Sequence, residues 1–424
     1  MWIPCLATIA VVTVVHATHA GVTERASSPD ENLNRFVIYD GTLAISRPDK
    51  SWKFEIDAGE PAVLASTSSP DDAADVDIQV QQVPGATLAQ VKLRQSSPAE
   101  AQSSEIATID FYGIRSVSED KVRQSLGLVV GDSVPDDTEP ILERLRRIPG
   151  VEQATLDSIC CVDGKRSLFI GIEETGAERP ELRARPEEDL RLPPEFARIY
   201  HEEQVRGEAA AQKGRAGDDW SQGHSLSEDP DVRALQLKFV ELSGKHLQTL
   251  RRVLALSRHD EDRRVAAAAI AYAADKKAIL PDLVQAARDP DEDVRNNAMR
   301  AIAVMVAYAQ DHPELGIEID YTPFVEMLTS PIWSDRNKAL AIIRPLASGG
   351  DQALLRTLRE EAFDSLLEMA RWQSPGHASW AFFVLGHVLG LNEDDIHERW
   401  TDENRTAWLD EIGQTEATGG DDDR

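Results

Sequence analysis

Residues 106–174, IATIDFYGIRSVSEDKVRQSLGLVVGDSVPDDTEPILERLRRIPGVEQATLDSICCVDGKRSLFIGIEE, decide how the chain divides into domains. The pattern predicts a strand that ends at Gly113, two short helices, and a hairpin that turns at Asp163-Gly164. The second helix is predicted over 136–148 because Pro149-Gly150 stops it. A three-stranded sheet covered by two helices forms a complete two-layer domain in about 70 residues.

This stretch resembles the polypeptide-transport-associated (POTRA) domain. The resemblance is carried by Gly113, Gly131, the helix ILERLRRIPGV at 141–151 and the closing strand LFIGIEE at 168–174. It implies a location outside the inner membrane and contact with other polypeptides, which add a strand to the sheet edge. On this basis we expect partner contacts at Ile109, Phe111, Leu168, Ile170 and Ile172.

Asp-rich turns recur behind this stretch, each at the start of a predicted helix. DPDVRA at 229–234 is echoed by DEDRRVA at 260–266, DPDEDVRNNA at 289–298 and, more loosely, SDRNKA at 334–339. Acidic residues favour the positive end of a helix. The pattern resembles HEAT-like repeats and predicts an α-solenoid of about four to five helix pairs over 228–412. The resemblance implies a protein-binding surface, and we expect it to include Arg264, Arg295 and Arg336.

The first twenty residues contain no Lys, Arg, Asp or Glu and carry an apolar run over 3–15. Small residues at Thr18 and Ala20 suit a signal peptidase, so residues 1–20 are predicted to be a signal peptide. The alternative is an uncleaved anchor, in which case the chain would contact a membrane. Either way the protein is expected to be exported, to the periplasm or out of the cell, and 21–34 to be a disordered leader.

Residues 35–93 alternate apolar and polar side chains and predict a small β-rich module. A strand is expected to end at Pro84-Gly85, and 86–93 is predicted as a short helix. The segment GTLAISRPDKSWKF at 41–54 resembles the opening of the PsbP-like family.

The fold class is therefore multidomain, with α+β and all-α parts. It combines a small β-rich module, a POTRA-like β-α-α-β-β domain and an α-solenoid of HEAT-like repeats. Linkers are expected over 94–105 and 175–227, the second with a short helix at 190–205, and an acidic tail is expected over 413–424.

The charge and the motifs bound the function. A formal net charge of -29 argues against nucleic acid and anionic membrane surfaces as partners. Adjacent Cys160-Cys161 cannot form an unstrained mutual disulfide, and the three Cys specify no disulfide framework. Asp289-x-Asp291-x-Asp293 lacks the Gly and the Glu of a calcium loop, so we interpret it as a turn that begins a helix.

No phosphate loop, zinc helix or nucleophile elbow is present in the sequence. We therefore predict a non-enzymatic adaptor or scaffold with protein partners, and no catalytic, cofactor-binding or metal-binding residues. One alternative is an enzyme accessory subunit with a site among the aromatic helices at 372–408. The other is a membrane-anchored component of the envelope, of division or of secretion machinery.

Overall fold

The computed structural model describes residues 104–419, except 163, 212–214, 216 and 401, together with seven strands before residue 104. Contacts divide the chain into a unit of residues 8–100 and a unit that contains 101–424, and each is described by itself. The predicted signal peptide and leader lie outside the described residues, except for Thr13–Val14 and the first residues of the strand Leu33–Ile38.

The first unit contains two antiparallel sheets. One has the order β1-β3-β4-β5 and the other the order β2-β7-β6. The strands are β1 Thr13–Val14, β2 Leu33–Ile38, β3 Gly41–Ser46, β4 Ser51–Asp57, β5 Glu60–Pro61, β6 Val76–Val83 and β7 Ala86–Leu93. The predicted helix over 86–93 is wrong. β6 and β7 pair antiparallel from Val76↔Leu93 to Val83↔Ala86, so residues 86–93 form a strand.

Residues 104–174 form what we call the α/β module. Its elements are β8 Ile106–Tyr112, α1 Glu119–Leu126, α2 Glu139–Arg146, β9 Val151–Val162 and β10 Lys165–Glu174. The sheet order is β8-β10-β9, with β10 parallel to β8 and antiparallel to β9. The β-α-α-β-β order predicted from the sequence is therefore the order observed, and β10 is the central strand.

The first face of this sheet, which is covered by α1 and α2, encloses the module's own core. Leu168, Ile170 and Ile172 of β10 point to this face and are at most 1% exposed. They pack with Val122 and Leu126 of α1 and with residues of α2 and β8. Because side chains alternate across a strand, the residues between them point to the opposite face.

Residues 175–227 were predicted as a linker with one short helix, but they pack against the helices that follow. They contain α3 Pro194–Ala211 and the short paired strands β11 Asp218–Asp219 and β12 Leu226–Ser227. Arg183 donates to the carbonyl of Leu254 at 2.7 Å and pairs with Asp289. This segment is therefore part of the packed body, and its helix extends beyond the predicted 190–205.

Residues 230–419 form what we call the helical array. Its helices are α4 Pro230–Leu256, α5 Asp260–Ile270, α6 Lys276–Ala286, α7 Glu292–Asp311, α8 Thr322–Met327, α9 Trp333–Ser348, α10 Gln352–Glu361, α11 Phe363–Ala370, α12 Pro375–Val388, α13 Glu393–Arg399 and α14 Asp402–Gly419. The helix α4 is kinked at His246, whose backbone is not helical, so it consists of two helical segments that meet there. The helix α14 also covers the described part of the predicted acidic tail.

A repeated hydrogen bond defines the repeats. Near the start of α4, α5, α7 and α9, an arginine donates to the carbonyl oxygen six residues before it. These arginines are Arg233, Arg263, Arg295 and Arg336, and their acceptors are Ser227, Ser257, Asp289 and Ser330. The structural register of the repeats is therefore set by this arginine, and it aligns Arg263 with Arg233.

The same arginines join consecutive repeats. Arg263 pairs with Asp289 at 2.8 Å, Arg295 pairs with Asp335 at 2.8 Å, and Arg336 pairs with Glu368 at 2.9 Å. All three guanidinium groups are at most 4% exposed. We call these three ion pairs, Arg263–Asp289, Arg295–Asp335 and Arg336–Glu368, the arginine ladder. The array is thus a helical-repeat domain whose repeats are joined by this ladder from α5 to α11.

Candidate functional site

The outer edge of β9 is the open edge of the module's sheet. β9 pairs along its length with β10, and it is the last strand on its side of the sheet. Within residues 104–419 no strand pairs with its other side. Glu152 and Gln153 of this strand are exposed. An edge strand presents backbone N–H and C=O groups on which another extended segment can pair.

The opposite edge, along β8, is largely covered. Ile106 donates its N–H to the carbonyl of Asp132 at 2.8 Å and accepts from Gly131 at 2.9 Å. Farther along the strand, the side-chain amide of Gln373 donates to the carbonyl of Ile109 at 2.9 Å. The chain itself therefore occupies backbone groups that a partner strand would need at β8.

The five strand residues that we expected to contact a partner are turned inward or shielded. Ile109, Leu168, Ile170 and Ile172 lie in the core between the sheet and α1 and α2. Phe111 is partly buried, and the guanidinium carbon of Arg123 lies 4.4 Å from its ring centroid. Strand addition uses backbone groups, so these side chains support the sheet from inside rather than meet a partner.

The three arginines expected on the repeat surface are also engaged inside the protein. Arg295 and Arg336 belong to the buried ladder. Arg264 is partly buried and pairs with Asp293 at 2.7 Å. Their partner-binding role stays a prediction, and their side chains are not presented to solvent as a surface patch would require.

The second face of the sheet packs on the helical array. Phe169, at the centre of β10, is fully buried. Its ring centroid lies 4.9 Å from that of Trp372, 5.5 Å from that of Trp333 and 5.4 Å from that of His377. Burial lowers the pKa of His377 to about 4, so this imidazole is neutral between the rings at pH 7. The module and the array therefore share an aromatic cluster.

One backbone carbonyl anchors the array to the middle of this face. The oxygen of Pro331 accepts from the hydroxyls of Tyr112 at 2.9 Å and of Thr155 at 2.7 Å. Gly171 lies beneath it, and a Cβ added there would collide with the Pro331 oxygen. A strand glycine marks a close approach of another backbone, and here that backbone belongs to the loop before α9.

The polar ladder of the array ends on the module. Glu368 of α11 accepts from Arg336 and also from the backbone N–H of Gly113 at 2.9 Å and from Arg115 at 3.0 Å. Tyr112 lies beneath the Arg336 guanidinium, 4.7 Å from ring centroid to guanidinium carbon. Gly113 and Arg115, at and just after the end of β8, thus bind the last carboxylate of the ladder, as an arginine of a further repeat would.

Two carboxylates of this face cap helices of the array. Asp110 of β8 accepts from the backbone N–H of Gln373 at 2.8 Å, just before α12. Asp157 of β9 faces the start of α9, where the backbone N–H of Trp333 acts to lower its pKa. Burial raises the pKa of Asp110 to about 6 and that of Asp157 to about 7. Both groups therefore titrate well above the usual range of an aspartate.

The second face was missed by the sequence analysis, although a signal for it was present. The run LFIGI at 168–172 is apolar at consecutive positions, which is typical of a strand buried on both faces. The alternation of Thr108, Asp110 and Tyr112 places polar and aromatic side chains on one face of β8. These positions are the ones that contact the array.

The rejected motifs have structural roles. Asp291 caps α7 by accepting from the N–H of Val294 at 3.1 Å, and Asp289 binds Arg263 and Arg183. The carboxylates of this acidic turn thus cap their own helix and bind the arginines of the ladder.

No group of three or more metal-ligating side chains is found in the described part of the chain. Among these residues no helix has both the length and the apolar character needed to cross a membrane.

Comparison with known proteins gives little further information. No family model matches the chain, and no curated protein matches it. Three solved structures that align with it are designed armadillo repeat proteins, one of them in complex with the peptide (KR)4. They are 21%, 18% and 19% identical, with TM-scores of 0.29, 0.30 and 0.30. They cover 44%, 51% and 52% of this chain, and 88%, 88% and 92% of their own length. Scores this low carry no weight, and the description of helical repeats rests on the arginine ladder.

Proposed function

We propose that the protein is an exported, non-enzymatic adaptor or scaffold of the cell envelope, and that it binds other polypeptides by strand addition to β9. The observation that carries this proposal is the open outer edge of β9, which is 12 residues long. The other edge of the sheet is covered by Gly131, Asp132 and Gln373. Strand addition needs only an accessible row of backbone groups, so the proposal does not require an exposed apolar side chain on the sheet.

The order of elements in the α/β module supports the resemblance to POTRA domains, from which the envelope setting is inferred. The apolar segment at 3–15, with small residues at Thr18 and Ala20, supports export. Cleavage of this segment and the mature location are parts of the proposal. N-terminal sequencing of the mature protein distinguishes a cleaved signal from a retained anchor.

The helical array contributes a second contact surface in this proposal. Apolar side chains are exposed at its first helix and at the neighbouring α3. Leu237 and Val240 of α4 are 50% and 37% exposed, and Val205 of α3 is 55% exposed. Exposed apolar side chains of this kind are a better starting point for a protein contact than the buried ladder arginines.

Site-specific photocrosslinking tests the strand-addition proposal. A photoreactive side chain at Gln153, on β9, is compared with the same group at Gln124, an exposed glutamine on α1. In an envelope extract, Gln153 is expected to capture a discrete polypeptide that Gln124 does not capture. Identical products at both positions, or a partner captured at Leu237 and never at Gln153, would show that β9 is not the binding edge.

A further inference from the structure

The contact between the second face of the sheet and the helical array contains several buried polar atoms without a hydrogen-bond partner. The hydroxyls of Thr108 and Ser167, one oxygen of Asp110 and the indole nitrogens of Trp333 and Trp372 are buried without a hydrogen-bond partner among the described residues. A buried polar group without a partner is less stable than the same group in water. Each of these groups gains hydration when the face opens.

The two capping aspartates increase this cost when they are ionised. Asp110 is 5% exposed, and one N–H donor, that of Gln373, reaches its Oδ1 within 2.8 Å. The backbone of Ser374, the side chain of Gln373 and the guanidinium of Arg405 on α14 also act to lower its pKa, but burial outweighs them. A single charge-assisted hydrogen bond compensates only part of the desolvation of a carboxylate.

The surroundings of Asp157 are less favourable to a negative charge. Glu292 of α7 and Asp335 of α9 both face it and repel it, although Asp335 is paired with Arg295. The N–H of Trp333 is the favourable contact on the α9 side. Other charged groups at the face belong to Arg336 and Arg115, which both pair with Glu368, and to the buried Lys338 of α9, whose charge helps to lower the pKa of His377.

We propose that the α/β module docks reversibly on the helical array, and that ionisation of Asp110 and Asp157 loosens the contact. In the docked form, burial favours the protonated, neutral carboxyl groups. In an open form both groups are hydrated and ionise in the ordinary range near pH 4. Docking therefore takes up protons at the two aspartates. It also keeps the His377 imidazole neutral, because burial lowers its pKa to about 4, so this histidine releases a proton and offsets part of the uptake. The two aspartates outweigh the one histidine, so the contact is firm at mildly acid pH and weakens as pH rises through 6 to 7.

This inference goes beyond the proposed function and does not depend on it, because it concerns a contact within the chain. The two are also linked by position. Asp157 and Thr155 lie on β9, and both hold that strand against the loop before α9. Opening of the face would free β9 on its second face as well as at its edge.

Hydrogen exchange of the full chain, read by mass spectrometry at pH 5 and pH 8 and corrected for intrinsic rates, tests the proposal. Segments around Trp333 and Gln373 are expected to lose at least about tenfold in protection at pH 8, since one pKa unit corresponds to a tenfold change. Segments of α5 and α6, far along the array, serve as the internal reference and are expected to change little.

The variant D110N/D157N keeps acceptor oxygens for both N–H groups and removes both charges. Its protection at the two helix starts is expected to be the same at pH 5 and pH 8. The matched control is D351N, which replaces a capping aspartate of α10 outside this face and is expected to keep the wild-type response. Equal protection of the wild type at both pH values, or a full pH response in the double variant, would overturn the proposal.

A second measurement keeps the proposal testable if the double variant does not fold. Carboxyl carbon chemical shifts of the wild-type protein report the titration of Asp110 and Asp157 directly. Midpoints near 6 and 7 support the proposal. Midpoints near 4 for both groups would show that the docked face does not favour their protonated forms, and would contradict it.

Discussion

Gly171 shows how one residue determines what the central strand can contact. On one side of β10 its neighbours Ile170 and Ile172 fill the module's core. On the other side Gly171 leaves room for the Pro331 carbonyl, which Tyr112 and Thr155 bind from either side. A side chain at this position would separate the sheet from the loop before α9.

Gly171→Ala is therefore expected to destabilise the protein by about 1–3 kcal/mol, the usual cost of an added methyl group in a close-packed site. The matched control is Gly207→Ala in α3, where a Cβ meets no atom within 4 Å and where alanine favours the helix. Urea unfolding of both variants checks the prediction. Equal stability of the two variants would mean that the Pro331 contact does not form as described.

Arg295 shows how much one ion pair of the ladder contributes to the free energy of unfolding. Its guanidinium binds both oxygens of Asp335 at 2.8 Å, and Ser330 donates to the same carboxylate at 2.8 Å. Both partners of the ion pair are buried. Removal of one partner from a buried pair leaves a charge without compensation.

Arg295→Ala is expected to lower the free energy of unfolding by about 3–5 kcal/mol. The control is Arg147→Ala, which removes an ion pair with Glu143 whose partners are 74% and 55% exposed. That change is expected to cost no more than about 1 kcal/mol. Chemical denaturation of the full chain measures both, and a small effect at Arg295 would argue against the buried ladder.

At the scale of elements, the turn between β8 and α1 is held by the last residue of β10. Glu174 accepts from the backbone N–H groups of Arg115, Ser116 and Val117, at 2.7–3.0 Å, and from the Ser116 hydroxyl. Burial acts to raise the pKa of Glu174, but these hydrogen bonds outweigh it and lower the pKa to about 2. The ionised form therefore stabilises the turn.

Because the folded pKa lies below the ordinary value, this stabilisation is present above about pH 4.5 and is lost as pH falls towards 2. Glu174→Gln is expected to destabilise the protein by about 1–3 kcal/mol at pH 7. The difference in melting temperature from the wild type is expected to shrink towards pH 2. A difference that stays constant between pH 7 and pH 2 would contradict the role of the charge.

Local elements could be predicted from the sequence, but their packing could not. The strands of the α/β module and the turns that begin α5 and α7 follow from alternation, proline-glycine stops and acidic caps, which are local signals. The failure at 86–93 is also local, because Pro84-Gly85 suits a hairpin as well as the end of a strand. The pairing of β7 with β6 shows that residues 86–93 are a strand and not a helix.

The candidate site residues show why long-range packing was missed. Arg295 and Arg336 looked like surface charges because their acidic partners lie 40 and 32 residues away. Tyr112 binds a carbonyl 219 residues farther along the chain. A single sequence contains no signal for which residues form such pairs. The burial of the arginines and the partner of the second face of the sheet therefore needed the structure, although the apolar run LFIGI at 168–172 indicated that β10 is buried on both faces.

At the scale of the whole molecule, the α/β module and the helical array lie in one compact unit, in which the module completes the array. Deletion of 106–174 would uncover the rings of Trp333, Trp372 and His377 and leave Glu368 without its module contacts. The truncated protein is expected to bind a hydrophobic dye and to melt at a lower temperature. If the truncated protein binds no more dye than the full chain, the module and the array are independent, which would contradict this expectation. Because the deletion also disturbs the array, loss of a partner after deletion would not locate the binding site.

The central claim is that β9 offers an open edge on a sheet whose faces are otherwise covered. Amide hydrogen exchange of the full chain, resolved residue by residue by nuclear magnetic resonance, tests it most directly. Since neighbouring N–H groups of an antiparallel edge strand point in opposite directions, alternate amides of β9 are expected to exchange fast while those of β10 stay protected. Uniform protection of every amide in β9, equal to that in β10, would mean that the edge is already occupied and would contradict the claim.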